Sequence, residues 1–259
     1  MRLDIITLFP EIFNFIKNIG VVGRAYKNKK WELNTWNPRD FTNNKTRRVD
    51  DNPYGGGPGM VMSAESLENT VSFIKHEHML SGFNDIPVIL LSPIGDVFDQ
   101  DRAIRLSKTS GAILVCGRYE GVDKRFVNRC VTHEISIGDF ILSGGEIAAL
   151  ALIDAVVRLL PNVLGNDRSK ACESFSIYKS GLLDDHPYTK PRNFKEEIVP
   201  EVLLNGNHSD IRKWNREKSL MITFMRRPDL IIKARNNGFL TEDDELFISL
   251  LKNNSNDTT

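Results

Sequence analysis

Cysteine is scarce in this chain, with three in 259 residues, and Cys116, Cys130 and Cys172 form no C-x-x-C pair. That excludes a disulfide frame and a zinc-ribbon type of site, and points to reduced thiols in a cytoplasmic protein. An excess of charge of either sign is missing too, since 34 basic residues balance 34 acidic ones. The molecule as a whole has no polyanion-seeking field, so any nucleic-acid footprint must be local. Long apolar runs are absent. The longest, residues 147–153, is too short to span a bilayer, and residues 1–10 carry no apolar signal core. No membrane partner and no targeting segment is therefore expected. His76 and His78 stand two apart, on different faces of any helix, which argues against joint metal ligation, and no metal site is expected. Neither G-x-G-x-x-G nor G-x-x-x-x-G-K-[ST] occurs, so the usual dinucleotide and phosphate cradles are not indicated.

What is present is concentrated in residues 111–160. Two short apolar runs rich in β-branched residues, 112–116 and 131–137, each end in a glycine-bearing loop, GRYEG or GDFILSGGE. Such runs read as buried strands, and loops at the carboxyl ends of buried strands are where open α/β sheets bind ligands. The second loop enters a helix through Ser143-Gly-Gly-Glu146, an S-x-x-E capping box, and Pro161 closes that helix. A pocket of backbone groups, apolar side chains and the Glu120 carboxylate suits an uncharged purine with a cationic tail better than a polyphosphate.

Along the chain, residues 3–8 and a helix begun by Pro10 read as a βα start, and 31–36 as a weak strand. Residues 37–59 form a long polar loop containing YGGGPGM, read as a mobile turn over the pocket. Ser63 caps a helix ending near His78; residues 87–92 form the next strand; Asp99 caps a helix through Ser107. Strand and helix in alternation argue for a parallel α/β sheet. The expected domains are an α/β unit over 1–161, a flexible linker over 162–180, a small all-helical unit over 181–252 and a disordered tail over 253–259. Two segments are locally basic: residues 23–48 carry eight Lys/Arg against two acidic residues, and 209–235 carry eight against three.

GRYEGVD, EISIGDFILSGGE, LLSPIG and DDNPYGGGPGM, in this chain's order, resemble the bacterial tRNA (guanine-N1)-methyltransferase family of the SPOUT class, over residues 1 to about 250. The resemblance implies a parallel sheet with a deep trefoil knot, a homodimer with composite active sites, and S-adenosylmethionine bound in the knot and released as S-adenosylhomocysteine. Carried onto this chain, the cofactor residues are Leu90, Leu91, Ser92, Pro93 and Gly95 in the first loop. The second loop adds Gly117, Tyr119, Glu120 and Gly121, and the third Ile137, Gly138, Asp139, Phe140, Ile141, Leu142, Gly144 and Gly145. The partner implied is the tRNA anticodon arm, gripped by Arg212, Lys213, Arg216, Arg226 and Arg227. The family also links magnesium to catalysis, although no ligand cluster here predicts a tightly held ion.

Methyl transfer to N1 of guanine needs an in-line methyl, a base for the N1 proton and a cation for charge arising on O6. By resemblance Arg158 is the cation and Glu173 the base, with Asp184 as the other candidate base. The chain departs from the family pattern at several points. Glu173 stands for aspartate, Ile94 for glutamine and Lys190 for arginine, and about three residues are added between Phe175 and Gly181. Another SPOUT-type RNA methyltransferase, acting on a ribose 2′-OH or another base, and a non-catalytic RNA-binding protein remain as alternatives at this stage.

Overall fold

Alternating side chains on short β-branched runs build a parallel sheet from β1 Arg2–Ile6, β2 Glu32–Trp36, β5 Val88–Val97, β6 Gly111–Cys116 and β7 His133–Ser136. The strand order is β2-β1-β6-β5-β7, every neighbouring pair running parallel. The structure is a computed structural model describing residues 1–82, 85–165 and 173–256. It divides into two units, Met1–Gly165 and Asn166–Thr259.

Helices cover both faces of the sheet, which is why its strands read as nearly continuous apolar runs. Leu3, Ile5, Ala112, Leu114 and Cys116 point to one face and pack with α1 Gly20–Lys27, α3 Gln100–Ser107 and α5 Glu146–Val157. Ile6, Ile113, Val115, Val88 and Leu90 point to the other, against α2 Ala64–Leu80 and α4 Lys124–Cys130. The period of two in a strand sorts the residues in this way. Asp4, buried within β1, is held by Arg2 Nε at 2.9 Å, Trp36 Nε1 at 2.7 Å and His78 Nε2 at 2.6 Å, which is what a carboxylate removed from water requires.

Register places the functional loops. Leu91 sits level with Cys116 on one side and Ile135 on the other, so the chain leaves β5, β6 and β7 at one edge of the sheet. After Leu91 the register against β7 shifts and pairing resumes at Asp96. The polar stretch after β2 holds a 3₁₀ turn, Pro38–Phe41, and a hairpin of β3 Asp50–Asp51 with β4 Val61–Met62.

Two local readings are corrected. Pro10 opens a 3₁₀ turn ending at Asn14 rather than an α-helix. The Ser143–Glu146 capping box does not form. The cap of α5 is Gly145, with no side-chain cap hydrogen bond, and Glu146 is buried.

The second unit packs α6 His208–Arg226, α7 Pro228–Asn236 and α8 Glu242–Asn256 around Leu182, Leu220, Ile231, Ala234 and Ile248. It also holds a small hairpin, β8 Asn193–Phe194 with β9 Glu197–Ile198, where an all-helical unit was expected. Helix α8 runs to Asn256, into the segment read as a disordered tail; residues 257–259 lie outside the described part. Of the segment read as a linker, residues 166–172, Cys172 among them, also lie outside it, while Ile177–Lys179 forms a 3₁₀ turn.

Candidate active site

The three strand-end loops enclose a cavity of about 460 Å³, within the range of small-molecule sites. Its wall holds all the candidate cofactor residues except Gly95 and Asp139. Asp139 is exposed. Gly95 lies against the neighbouring strand. A Cβ there would lie 2.4 Å from the Glu134 carbonyl carbon and the Ile135 nitrogen, so its bare Cα lets β5 lie close against the backbone of β7. Ile94 lines the cavity and is exposed.

Backbone contacts join the loops. Gly145 N–H donates to the Gly117 carbonyl at 3.0 Å, and a Cβ on Gly145 would fall 2.8 Å from Cys116 Cα. Glycine is needed here for close approach of two chain segments. The β3–β4 hairpin is moored beside Glu120, whose N–H donates to the Met60 carbonyl at 2.9 Å, and Met62 N–H donates to the Gly121 carbonyl at 2.9 Å. Below the cavity lies Cys116, fully buried; burial first, and then the Glu146 carboxylate, pushes its thiol well up, so it stays protonated.

Arg118, the arginine of GRYEG, also lines the cavity, although it is not among the candidate cofactor residues. Its Nη2 lies 2.9 Å from Glu146 Oε2 as an ion pair, and its Nη1 donates to the Ser143 carbonyl at 3.1 Å. Thr7 Oγ1 donates to Glu146 Oε1 at 2.8 Å. Arg118 and Glu146 both stand in motifs of the sequence, GRYEG and GDFILSGGE, but nothing in those motifs shows that the two side chains meet. Arg118, paired in this way, is not a free cation for phosphate.

This assembly is matched end to end among known proteins. The family described as tRNA (Guanine-1)-methyltransferase TrmD matches residues 1–233. The chain belongs to the tRNA (guanine-1)-methyltransferase family. Relatives called tRNA (guanine-N(1)-)-methyltransferase occur in Bordetella pertussis, 52% identical with 97% of this chain and 98% of that protein covered, and in Janthinobacterium sp., 50% identical with 96% and 99% covered. A third, in Burkholderia cenocepacia, is 45% identical, with 100% and 97% covered.

Within this tRNA (guanine-1)-methyltransferase fold the three candidate catalytic residues fall in both units. Arg158 is the C-cap of α5 in the first unit. Glu173 and Asp184 belong to the second, on two stretches stitched together: Phe175 N–H donates to the Leu182 carbonyl at 2.9 Å, and Asp184 N–H to Ser174 Oγ at 2.8 Å. Between Phe175 and Gly181 the chain makes the Ile177–Lys179 turn. Asp184 accepts Lys179 Nζ at 2.6 Å. Among the five candidate tRNA-gripping residues, Arg216 is committed to Asp244 at 2.7 Å and Arg227 to Asp229 at 2.7 Å. Arg212, Lys213 and Arg226 are exposed. Among the described residues no group of three or more His, Cys, Asp or Glu is placed to hold a metal, and no helix is long and apolar enough to cross a membrane.

Proposed function

We propose that this chain transfers a methyl group from S-adenosylmethionine to N1 of the guanosine immediately 3′ of a tRNA anticodon. The observation that carries the reading is near full-length likeness, at 45–52% identity, to proteins named for methylating guanine N1 in tRNA. The cavity at the strand ends supports it. Its size, its glycine backbone and the exposed Glu120 carboxylate at its wall fit a purine nucleoside with a cationic tail.

When bound, the cofactor supplies an electrophilic methyl on a sulfonium sulfur. The chain's part is to orient guanine and manage a proton and a charge. Glu173 takes the N1 proton, and Arg158 stabilises the negative charge that then appears on O6. A carboxylate is a weak base for this proton and gains from the exclusion of water on tRNA binding. Asp184 is the other candidate; its Oδ1 accepts Lys179 Nζ and would have to give up that ion pair to take a proton.

The same reading carries the rest of the family architecture. A trefoil knot is supported by the excursion of β5 between Leu91 and Asp96 and by Gly145 lying against Gly117. A homodimer is supported by apolar surface at the cavity, where Ile94 and Ile141 are each 81% exposed. Magnesium, if used, enters with the substrates.

The test is transfer of labelled methyl from S-adenosylmethionine to two tRNA transcripts that differ only in guanosine or adenosine immediately 3′ of the anticodon, at low salt with magnesium. Label on the guanosine transcript alone is expected, with Glu173→Gln losing at least ~100-fold in turnover and Asp184→Asn losing far less. Label on both transcripts moves the target elsewhere in the RNA. Near-normal turnover by Glu173→Gln together with loss in Asp184→Asn exchanges the roles of the two carboxylates.

A further inference from the structure

Glu146 occupies a costly position. It is 1% exposed, and a carboxylate taken out of water is tolerated when charge and hydrogen bonds compensate it. Replacing a buried ion pair by apolar residues is often neutral for stability, so stability alone does not account for this one. Its neighbours do. Thr7 Oγ1, at the end of β1, donates to one carboxylate oxygen at 2.8 Å, and Arg118, from the loop after β6, meets the other at 2.9 Å.

Beyond the Glu146 ion pair, two contacts hold the Arg118 guanidinium, while its buried Nε has no hydrogen-bond partner among the described residues. The Phe9 ring lies under its guanidinium at 4.4 Å, a contact that fixes the plane of the group. Its Nη1 donates to the Ser143 carbonyl at 3.1 Å. A Cβ on Gly144 would lie 2.2 Å from its Nε, so residues 143–145 wrap directly round the guanidinium. The group thus acts as a form on which the third cofactor loop is shaped, and Glu146 holds the form in place.

We propose that Arg118 and Glu146 are a positioning pair that sets the shape of the cofactor-binding loops, with Thr7 as its anchor to β1. The proposal rests on reading the cavity as the S-adenosylmethionine site. Glu146 lies off the cavity wall, so disturbing it leaves the wall's own groups in place and misplaces the backbone of residues 143–145, whereas Arg118 both lines the wall and shapes that backbone. The loss is therefore expected in affinity for the adenosyl group, and the two members are expected to be coupled rather than additive.

The experiment is calorimetric titration of the full chain with S-adenosylhomocysteine, which lacks the sulfonium charge and so reports loop shape more than wall charge. Thermal unfolding of each variant is followed in parallel. Arg118→Met and Glu146→Gln are each expected to weaken binding roughly tenfold, the double variant no more than Arg118→Met alone. Arg118→Lys, which keeps the charge and loses the fork, should recover part of the affinity. Thr7→Val, which keeps the volume and removes the donor, should weaken binding a few-fold, and it serves if the other variants fail to fold. Wild-type affinity in folded variants with lowered melting temperatures would make the pair structural and overturn the proposal. Loss in Arg118→Met with none in Glu146→Gln would make Arg118 a direct contact and overturn it too. If the wild-type chain fails to bind S-adenosylhomocysteine, the reading of the cavity falls and takes the proposal with it.

Discussion

A single absent methyl group separates two meanings of glycine in this molecule. Gly145 sits in the loop before α5 and Gly95 in the last part of β5, and the motif resemblance treats both as cofactor residues. Gly145 lines the cavity, whereas Gly95 faces the backbone of β7. Nothing in LLSPIG distinguishes the two, because a glycine that admits a ligand and one that admits a neighbouring strand look the same in sequence. Gly95→Ala is expected to destabilise the chain by about 1–3 kcal/mol or more, because the clash is with backbone that has no rotamer to change. Urea unfolding checks this. Wild-type stability would mean that the approach of β5 to β7 at Gly95 is looser than these distances. The pairing of Arg118 with Glu146 was illegible for a related reason: 28 residues separate them, and the contact exists only once two loops have met.

At the scale of elements, two sequences of one pattern had opposite fates. Ser143-x-x-Glu146 and Thr241-x-x-Asp244 both read as capping boxes. The second forms: Thr241 N–H donates to Asp244 Oδ2 at 2.9 Å, and Asp244 N–H donates to Thr241 Oγ1 at 3.2 Å. The first fails because Glu146 is drawn into the core by Thr7 and Arg118. Pattern therefore locates a helix start without deciding what its acidic residue does. Strands and helices of the sheet were legible from period and punctuation. The β8–β9 hairpin was not, since two residues per strand carry no period. The formed box gives a pH prediction. Burial raises the Asp244 carboxyl, but the Arg216 hydrogen bonds, reinforced by those of Thr241, outweigh it and leave the group below its ordinary value. A depressed folded value means stability present above the unfolded carboxylate value, about 4, and lost as pH falls through the folded one. Hydrogen exchange of α8 amides should therefore be slow at neutral pH and speed up, beyond the intrinsic pH effect, as the solution is acidified below that range. Asp244→Asn should remove most of this dependence and cost about 0.5–2 kcal/mol at pH 7. An unchanged pH profile in the variant would assign the acid sensitivity to other carboxylates.

For the whole molecule, a net charge of zero leaves tRNA attraction to local surfaces. The composition points to two basic segments without telling which side chains are available. Folding decides that by pairing some of them internally. Arg216, Arg227 and Arg235 are bound to Asp244, Asp229 and Glu245, and Arg47 and Arg48 to neighbouring aspartates. Arg212 and Lys213 stay exposed on α6, with no ion pair among the described residues. Phosphate contacts release counterions, so each such contact contributes a slope of roughly −0.7 to −0.9 to log affinity against log salt. The variant Arg212→Gln/Lys213→Gln is therefore expected to flatten the salt dependence of tRNA binding by about 1.5. It should weaken guanosine and adenosine transcripts alike, since phosphate contacts position the RNA and carry no base information. Methyl transfer at saturating tRNA should be little changed, because neither side chain is assigned to the proton or the methyl. Arg216→Gln, by contrast, should lower stability and leave the slope nearly unchanged, as its charge is already spent on Asp244. A slope that falls equally for both variants would mean that Arg216 leaves Asp244 for phosphate on binding, and that ion pairs within the helical unit are exchanged for contacts to the RNA.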